Sequence, residues 1–253
     1  MLQYIQLLFI LLFVPVACGN SKLGMEGTSS PSHEIWDKLL QTHVSVDGKV
    51  NYQGFIQDKN KLQVYLDNLS QHAPDRKTWT QNEQLAYWIN AYNAFTVKLI
   101  IDHYPLKSIQ DLQPKLNIPL VNTVWNLEFF EIGGKKASLD EIEHKILRKE
   151  FDEPRIHFAI NCASFSCPKL LNEAFMPAKL EKQLQATAVD FINDPKRNKI
   201  SANAVEISQI FSWFKGDFTK NGSIIDYLNQ YSAIKINPKA KVSHLSYDWS
   251  LNE

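Results

Sequence analysis

Residues 84–101 are apolar on almost every side of a helix, and this segment constrains the fold more than any other part of the chain. A helix of that composition usually lies at the centre of a core. The capping-box pattern at residues 80–83 predicts where it begins, and the Tyr-Pro pair at 104–105 predicts where it ends. Asn90 and Asn93 interrupt the apolar run on one face. We therefore expect a domain built around this helix.

Apolar residues recur at helical spacing in several other segments. The predicted helices cover residues 35–40, 62–69, 139–149, 177–192 and 224–231. A capping box at residues 138–141 opens the third of them, and Pro177 suits the first turn of the fourth. The side chains expected to be buried are Ile35, Trp36, Leu39 and Leu40 in the first helix, and Leu139, Ile142 and Ile146 in the third.

Short extended segments are predicted between these helices. They are residues 49–52 after an Asp-Gly turn, 125–132 and 135–137 as a hairpin around two glycines, 155–161, a polar hairpin turning at Asn203, and 242–251. Helices thus dominate around a modest sheet. We predict the α+β class, with a mainly helical single domain at residues 33–253 around a small, mostly antiparallel sheet.

The first 18 residues resemble an export signal. Their apolar run is too short to cross a bilayer as a helix, and Ala17 suits the residue before a cleavage site. Cys18 then takes the position of the lipid-modified cysteine of bacterial lipoproteins, although Pro15 stands where leucine is usual. An ordinary cleaved signal is the alternative. The Gly- and Ser-rich residues 19–32 predict a flexible tether, which would hold the domain at the bacterial cell envelope, facing the periplasm or the outside.

Composition limits the partners of this chain. Hydrophobic residues make up 44% of it and aromatic residues 11%, which supports a sizeable core. The formal net charge is zero and no dense block of Lys or Arg occurs, so we expect no nucleic-acid partner. We expect membrane contact through the lipid anchor only, because no second apolar stretch reaches transmembrane length. We predict no cofactor.

Reactive side chains are concentrated in residues 155–170, which contain His157, Cys162 and Cys167 at the end of a predicted buried strand. Side chains alternate along a strand, so His157 shares a face with Asn161 while Cys162 lies on the other face. A direct pairing of His157 with Cys162 therefore requires the chain to kink near Asn161. The small residues that follow allow such a kink.

Cys162 is the candidate nucleophile, because a thiolate forms readily when a nearby histidine or helix N-terminus lowers the pKa of the thiol. Two histidines compete as its base, namely His157 and His144 on the preceding helix. The groups expected to orient the base or to stabilise an oxyanion are Asn90, Asn93 and Glu143. This combination points to acyl transfer at an amide or ester.

Each of these residues also has a structural interpretation. Cys162 and Cys167 can form a disulfide, since exported proteins live where disulfides persist. Buried asparagines more often tie down loops than take part in catalysis. A zinc site formed by His144, His157 and Cys162 is a further alternative, although the close ligand pairing typical of metal motifs is missing.

The aromatic segment at residues 210–218 is interpreted as a plug that closes the core. Its members are Trp213, Phe214 and Phe218, with Asp217 among them. A binding role for this segment would require it to be exposed beside the cysteines.

Several segments together resemble the domain of unknown function 547 family. They are residues 48–52, 85–94, 138–148, 155–168, 211–218 and 247–252. The resemblance implies an exported bacterial protein, and it implies no established activity. In eukaryotic relatives the position of Cys167 tends to be Ser while a cysteine matching Cys162 often remains. That pattern favours a role for Cys162 alone.

Two main functional hypotheses follow. The first is an envelope-tethered cysteine-dependent enzyme of acyl transfer, a hydrolase or transferase acting on a small-molecule or peptide ligand. The alternative is a non-catalytic module that binds a ligand or a protein and carries a structural Cys162–Cys167 disulfide. A metal-binding envelope protein is a third, weaker hypothesis.

Overall fold

A computed structural model describes residues 30–113 and 123–253. The predicted signal with Cys18, and the predicted tether up to residue 29, lie outside the described residues. Within the two described ranges, no helix combines the length and the apolar composition that a bilayer crossing requires.

The described part of the chain is mainly helical. Its α-helices are α1 (Glu34–His43), α2 (Tyr52–Gln57), α3 (Lys59–Gln71), α4 (Gln81–His103), α5 (Arg148–Glu150), α6 (Leu180–Asn193), α7 (Ile210–Trp213), α8 (Lys215–Phe218) and α9 (Ile224–Leu228). Its strands are β1 (Phe130–Ile132), β2 (Lys135–Ala137), β3 (Lys199–Ile200), β4 (Ala204–Ile207) and β5 (Lys241–His244). The predicted α+β class, mainly helical with a small sheet, is confirmed.

Helix α4 lies in the core as predicted. Its capping box is present, because Thr80 accepts from the backbone of Glu83 and Glu83 reaches back to the backbone of Thr80. The helix buries fifteen of its side chains, Asn90 and Asn93 among them. In the predicted helix at 62–69, which lies within α3, the apolar residues at helical spacing are buried against the same core, namely Leu62, Tyr65, Leu66 and Leu69. In α1 the prediction is wrong only for Ile35, which is 37% exposed.

Two small sheets form. Strands β1 and β2 pair antiparallel around Gly133 and Gly134, whose φ angles of 59° and 73° suit glycine. The predicted strand was too long at its start, where a 3-10 helix occupies Val124–Asn126. Strands β3 and β4 form the predicted antiparallel hairpin, and β5 adds to β4 in parallel.

The predicted strand at residues 155–161 is wrong. The segment begins with a 3-10 helix, Pro154–Phe158, in which Pro154 takes the first turn and the Glu153 carboxylate accepts from the Arg155 amide. A short apolar run fits a strand or a helix, so its pattern alone could not decide. The predicted strand at 49–52 is also wrong, because Asn51 caps α2 by accepting from the Gly54 amide. Only an isolated bridge between Val44 and Val50 remains there.

The predicted helix at 139–149 forms, but most of it is a π-helix, Glu141–Leu147, that continues into α5. Its first turn is capped by Ser138, whose Oγ accepts from the Glu141 amide at 3.2 Å. The wider turn changes which side chains face the core. Leu147 is buried in place of the predicted Ile146, which is only half-buried.

Two hydrophobic clusters make up the interior. The first surrounds α4 and includes Ile156 and Ile160, whereas the second surrounds α6 to α9 and includes Phe158. The 3-10 helix at 154–158 therefore contributes to both. Helix α6 starts three residues after Pro177, which lies in the preceding turn, and α9 ends before the predicted residue 231.

Candidate functional site

A cavity of about 490 Å³ lies where the two hydrophobic clusters meet. Its wall includes five of the residues that were predicted to form a site, namely Glu143, His144, His157, Cys162 and Cys167. Aromatic side chains make up much of the remaining wall, namely Tyr92, Trp125, Trp213, Phe214, Tyr247 and Trp249.

The cysteine loop, residues 161–168, turns sharply after Asn161. Ala163 has a φ of 62°, a left-handed conformation that is costly for a residue other than glycine and is often found at functional sites. The Asn161 side chain holds the turn, since its Oδ1 accepts from the Ala163 amide at 2.9 Å and its Nδ2 donates to the Pro168 carbonyl at 2.7 Å. The chain thus turns near Asn161, where a pairing of His157 with Cys162 would require a kink, although the turn follows a helix and not a strand.

The C-terminal segment clamps this loop from outside. The Phe165 amide donates to the Ser250 carbonyl at 2.7 Å, and the Ser166 amide donates to the Asp248 carbonyl at 3.1 Å. Arg197 adds a second clamp by donating to the carbonyls of Phe165 and Cys167. The loop is thus fixed by parts of the chain that are distant in sequence.

Cys162 is surrounded by hydrogen-bond donors. Its Sγ lies 3.2 Å from Ser164 Oγ, 3.3 Å from the Tyr247 hydroxyl and 2.8 Å from Cys167 Sγ. Burial alone would raise the pKa of Cys162, but the hydrogen bonds from Cys167, Ser164 and Tyr247 outweigh it and lower the pKa to about 7. Hydrogen bonds of this kind favour the thiolate.

Cys167 lies behind Cys162 and is only 4% exposed. Burial and the neighbouring charge of Cys162 raise the pKa of the Cys167 thiol well above its usual value. Its Sγ accepts from the Cys162 amide at 2.8 Å. Both cysteines are free thiols in this structure. The disulfide between them stays a prediction.

Glu143 is a buried carboxyl in the wall of the cavity. Burial raises its pKa to about 8, and the charge of Cys162 adds to that rise while Arg148 opposes it. The Tyr92 hydroxyl donates to Glu143 Oε2 at 3.4 Å. Glu143 therefore carries a proton near neutral pH, beside a cysteine that loses its own.

His157 is held by Asp217, a residue from α8. Its Nε2 lies 2.8 Å from Asp217 Oδ2, and Arg148 donates to both oxygens of the same carboxylate. Burial alone would raise the pKa of Asp217, but the hydrogen bonds from His157 and Arg148 outweigh it and depress the pKa. Since Asp217 is ionised, His157 donates through Nε2, and its Nδ1 is left as an acceptor.

That Nδ1 atom is buried and has no hydrogen-bond partner among the residues that the structure describes. Glu143 Oε1 lies 3.9 Å from this nitrogen. Burial lowers the pKa of His157, although Asp217 opposes the shift, and the ring stacks on Phe214 with centroids 4.0 Å apart. His157 is thus a neutral imidazole whose free nitrogen faces Glu143.

His144 also lies in the cavity wall, but its ring nitrogens face other partners. Nδ1 accepts from Arg148 at 2.8 Å, and Nε2 lies 3.8 Å from an Asp140 oxygen. Burial lowers the pKa of His144, and Arg148 adds to the shift while Asp140 opposes it. Of the two predicted bases, His157 is the one whose unprotonated ring nitrogen lies near the Glu143 carboxyl, 3.9 Å from Oε1.

Asn90 and Asn93 are not in the cavity wall. The Asn90 side chain donates to the Phe175 carbonyl and accepts from the Phe175 amide. The Asn93 side chain does the same with the Ala159 carbonyl and the Asn161 amide, at 2.9 and 2.8 Å. Because both ends of each amide are occupied, neither side chain is free to stabilise an oxyanion. Asn93 instead fixes the backbone that leads into Cys162.

The aromatic segment at 210–218 has two parts. Phe218 is buried in the second cluster as the predicted core plug, but Trp213 is 48% exposed and lines the cavity. The Trp213 ring lies 4.8 Å from Tyr247 and 5.8 Å from Trp249, measured between centroids. Trp213 and the C-terminal segment therefore form one aromatic wall beside the cysteine loop.

No metal centre is present among residues 30–113 and 123–253, where no group of three or more His, Cys, Asp or Glu side chains is arranged to hold an ion. The zinc hypothesis for His144, His157 and Cys162 therefore gains no support from the geometry.

Sequence reasoning missed several residues of the site. Asp140 and Arg148 lie four residues on either side of His144, so the helical spacing of polar side chains could have identified them. Asp217 and Tyr247 had no such signal, because they lie 60 and 85 positions from the residues that they contact.

Comparison with known proteins finds a family model that matches the central part of the chain. Residues 76–192 match the family described as "Protein of unknown function, DUF547". The match includes Glu143, His157 and both cysteines of the cavity, whereas Asp217 and Tyr247 lie beyond it. No curated protein and no solved structure matches the chain.

Proposed function

We propose that this chain, whose residues 76–192 form a domain of the DUF547 family, is a cysteine-dependent enzyme of acyl transfer with Cys162 as its nucleophile. One observation carries the proposal. Cys162 opens into an aromatic cavity with three side-chain hydrogen-bond partners at its sulfur, and the same cavity holds a protonated Glu143. An activated thiol beside a proton donor is what acyl transfer requires.

In the first step, the Cys162 thiolate attacks the carbonyl carbon of an ester or amide, and a sulfur–carbon bond forms. The carbonyl oxygen takes the negative charge, and the hydroxyls of Ser164 and Tyr247, which lie 3.2 and 3.3 Å from Cys162 Sγ, donate to it. The bond to the alcohol or amine then breaks, and that leaving group takes the proton of Glu143. The product is a thioester on Cys162.

In the second step, water or an acceptor molecule attacks the thioester. The ionised Glu143 takes a proton from the attacking group, the carbon–sulfur bond breaks, and the Cys162 thiolate is regenerated. His157 acts as a positioning residue, because its unprotonated Nδ1 lies 3.9 Å from Glu143 Oε1 in the same cavity wall. Asp217 keeps His157 in the tautomer that this role needs.

The charges of the cavity favour an uncharged substrate. Arg148 is the one Lys or Arg side chain among the described wall residues, and its guanidinium donates to Asp217 and His144. No cation among the described wall residues is thus left to hold an anionic group. The aromatic wall suits an apolar acyl group or an apolar peptide side chain.

The proposal includes a location. The signal pattern at residues 1–18 and the Gly- and Ser-rich residues 19–32 support a lipid anchor on Cys18 at the cell envelope. Metabolic labelling with a clickable fatty acid tests this directly. We expect label on the native chain and none on the Cys18→Ala variant, and equal labelling of both would refute the anchor.

An acyl adduct tests the proposed chemistry. Reduced protein is mixed with p-nitrophenyl esters of uncharged acids, and the modified peptide is identified by mass spectrometry. We expect saturable, stoichiometric acylation of Cys162, retained in Cys167→Ser and lost in Cys162→Ser. Acylation no faster than in the urea-unfolded chain would contradict the proposal. Saturable binding of an ester without acylation would favour the non-catalytic binding module.

A further inference from the structure

We infer that Cys162 and Cys167 have a second activity, thiol–disulfide exchange, in which Cys162 attacks an external disulfide and Cys167 resolves the mixed disulfide. Only the consequence for acyl transfer, namely that the disulfide form lacks the nucleophile, rests on the proposed function. The exchange itself is argued from the position of the two thiols and is independent of any acyl substrate.

The first observation is the distance between the thiols. The two Sγ atoms lie 2.8 Å apart, whereas a disulfide bond measures about 2.05 Å, so a small side-chain movement is enough to join them. The Cys162 amide also donates to Cys167 Sγ at 2.8 Å, which holds the buried sulfur against the residue it would join.

The second observation is that the loop already holds the shape that brings the cysteines together. Asn161 links its two ends by donating to the Pro168 carbonyl, and the Cys167 amide donates to the Ser164 carbonyl at 3.1 Å. Arg197 fixes the Cys167 carbonyl from outside. Since these contacts involve backbone groups and side chains other than the thiols, they can persist when the thiols are joined.

The third observation is the difference in access between the two sulfurs. Cys162 is half-buried and lines the cavity, whereas Cys167 is only 4% exposed and lies behind it. An attacking thiol must be reached by its partner, and a resolving thiol needs only to reach the attacking one. The hydroxyls of Ser164 and Tyr247 at Cys162 Sγ favour its thiolate, so Cys162 is the attacking thiol and Cys167 the resolving thiol.

The reaction balances with an external disulfide as the oxidant. The Cys162 thiolate attacks one sulfur of that disulfide, whose bond breaks and whose other half leaves as a thiolate and takes up a proton. Cys167 then loses its proton, attacks Cys162 Sγ, and releases the second half as a thiol. The pair gives up two electrons and two protons, and one external disulfide becomes two thiols.

Glutathione redox buffers test the inference on the folded protein. The protein is equilibrated at a series of ratios of reduced to oxidised glutathione, quenched in acid, alkylated, and read by mass spectrometry. We expect the Cys162–Cys167 disulfide to appear and disappear reversibly with the ratio, while circular dichroism stays that of the folded chain. A pair that stays reduced throughout overturns the inference. So does a disulfide that glutathione reduces only when the protein unfolds.

Two variants assign the roles. Cys167→Ser lacks the resolving thiol, so it should accumulate a glutathione adduct on Cys162. Cys162→Ser leaves only the buried Cys167 of this pair, and we expect at least tenfold slower adduct formation on it. Equal rates in the two variants would contradict the assignment. Acylation by esters is measured separately on fully reduced protein, so reversible exchange without acylation would refute the proposed function alone, and acylation without exchange would refute this inference alone.

Discussion

His157 and Asp217 are 60 positions apart in the sequence, yet His157 Nε2 and Asp217 Oδ2 lie 2.8 Å apart. This contact joins the 3-10 helix at 154–158 to α8. Arg148 binds the same carboxylate from the π-helix side through Nε at 2.5 Å. The Asp217 carboxylate of α8 therefore contacts both the 3-10 helix, through His157, and α5, through Arg148.

Asp217→Asn should destabilise the fold. The substitution removes the charge that pairs with Arg148 and leaves this partly buried guanidinium without a counter-ion. We expect a loss of about 2–3 kcal/mol in the free energy of unfolding, measured by urea denaturation. The control is Asp102→Asn, which breaks the exposed pair with Lys98 and should cost less than about 1 kcal/mol. Equal losses would show that Asp217 has no special structural role.

Asn93→Ala should destabilise the cysteine loop. It leaves the Ala159 carbonyl and the Asn161 amide without their partner in the core, and each such buried group costs about 1–3 kcal/mol. We expect a total loss of about 2–4 kcal/mol and faster proteolysis within residues 161–168. Asn82→Ala, on the exposed face of the same helix, is the matched control and should have little effect. A loss of global stability with unchanged protease sensitivity of the folded loop would argue against a role of Asn93 in holding the cysteine loop.

Glu143→Gln should change how stability depends on pH. The pKa of Glu143 is raised from 4.5 to about 8 in the folded chain, so the folded state binds more protons than the unfolded state between these values. The contribution of this proton to stability is therefore fully present below about pH 4.5 and is lost as pH rises toward 8. The wild type should lose stability across this window, on the order of 3 kcal/mol, relative to Glu143→Gln.

The control for this measurement is Glu128→Gln, at an exposed position. Urea denaturation curves at pH 5 and pH 8 suffice. Parallel pH dependence in the wild type and Glu143→Gln would mean that Glu143 ionises as an ordinary surface carboxyl does.

Trp213→Ala should weaken substrate binding more than stability. Trp213 is 48% exposed and forms part of the aromatic wall, whereas Phe211 is 1% exposed in the second core cluster. We expect Trp213→Ala to raise the half-saturating ester concentration several-fold with a stability loss below about 1 kcal/mol. Phe211→Ala should cost about 3–5 kcal/mol. Unchanged ester saturation in Trp213→Ala would place the substrate elsewhere.

Local signals in the sequence predict the parts of the fold that depend on local physics. The central helix α4, its capping box and the hairpin around Gly133 all follow from spacing and turn chemistry over a few residues. The small residues after Asn161 allow a tight turn for the same reason, and the structure has that turn.

A short ambiguous run and the contacts between distant segments could not be predicted. The apolar run before Cys162 fits a strand or a helix by its pattern. It forms a 3-10 helix, which Glu153 caps and in which Pro154 takes the first turn. Asp217 looked like part of a core plug because nothing near it in sequence indicates His157. The contact of Tyr247 with Cys162 likewise depends on the path of the C-terminal segment.

The pH dependence of Cys162 alkylation tests the central claim most directly. Fully reduced protein is treated with iodoacetamide from pH 5 to pH 10, and the rate at each cysteine is read by mass spectrometry. We predict a midpoint near pH 7 for Cys162, little modification of the buried Cys167, and an upward shift of the Cys162 midpoint in Cys167→Ala, whose side chain has no hydrogen-bond donor. A midpoint near that of an ordinary thiol, about 8.5, with no change in Cys167→Ala would contradict the activated nucleophile.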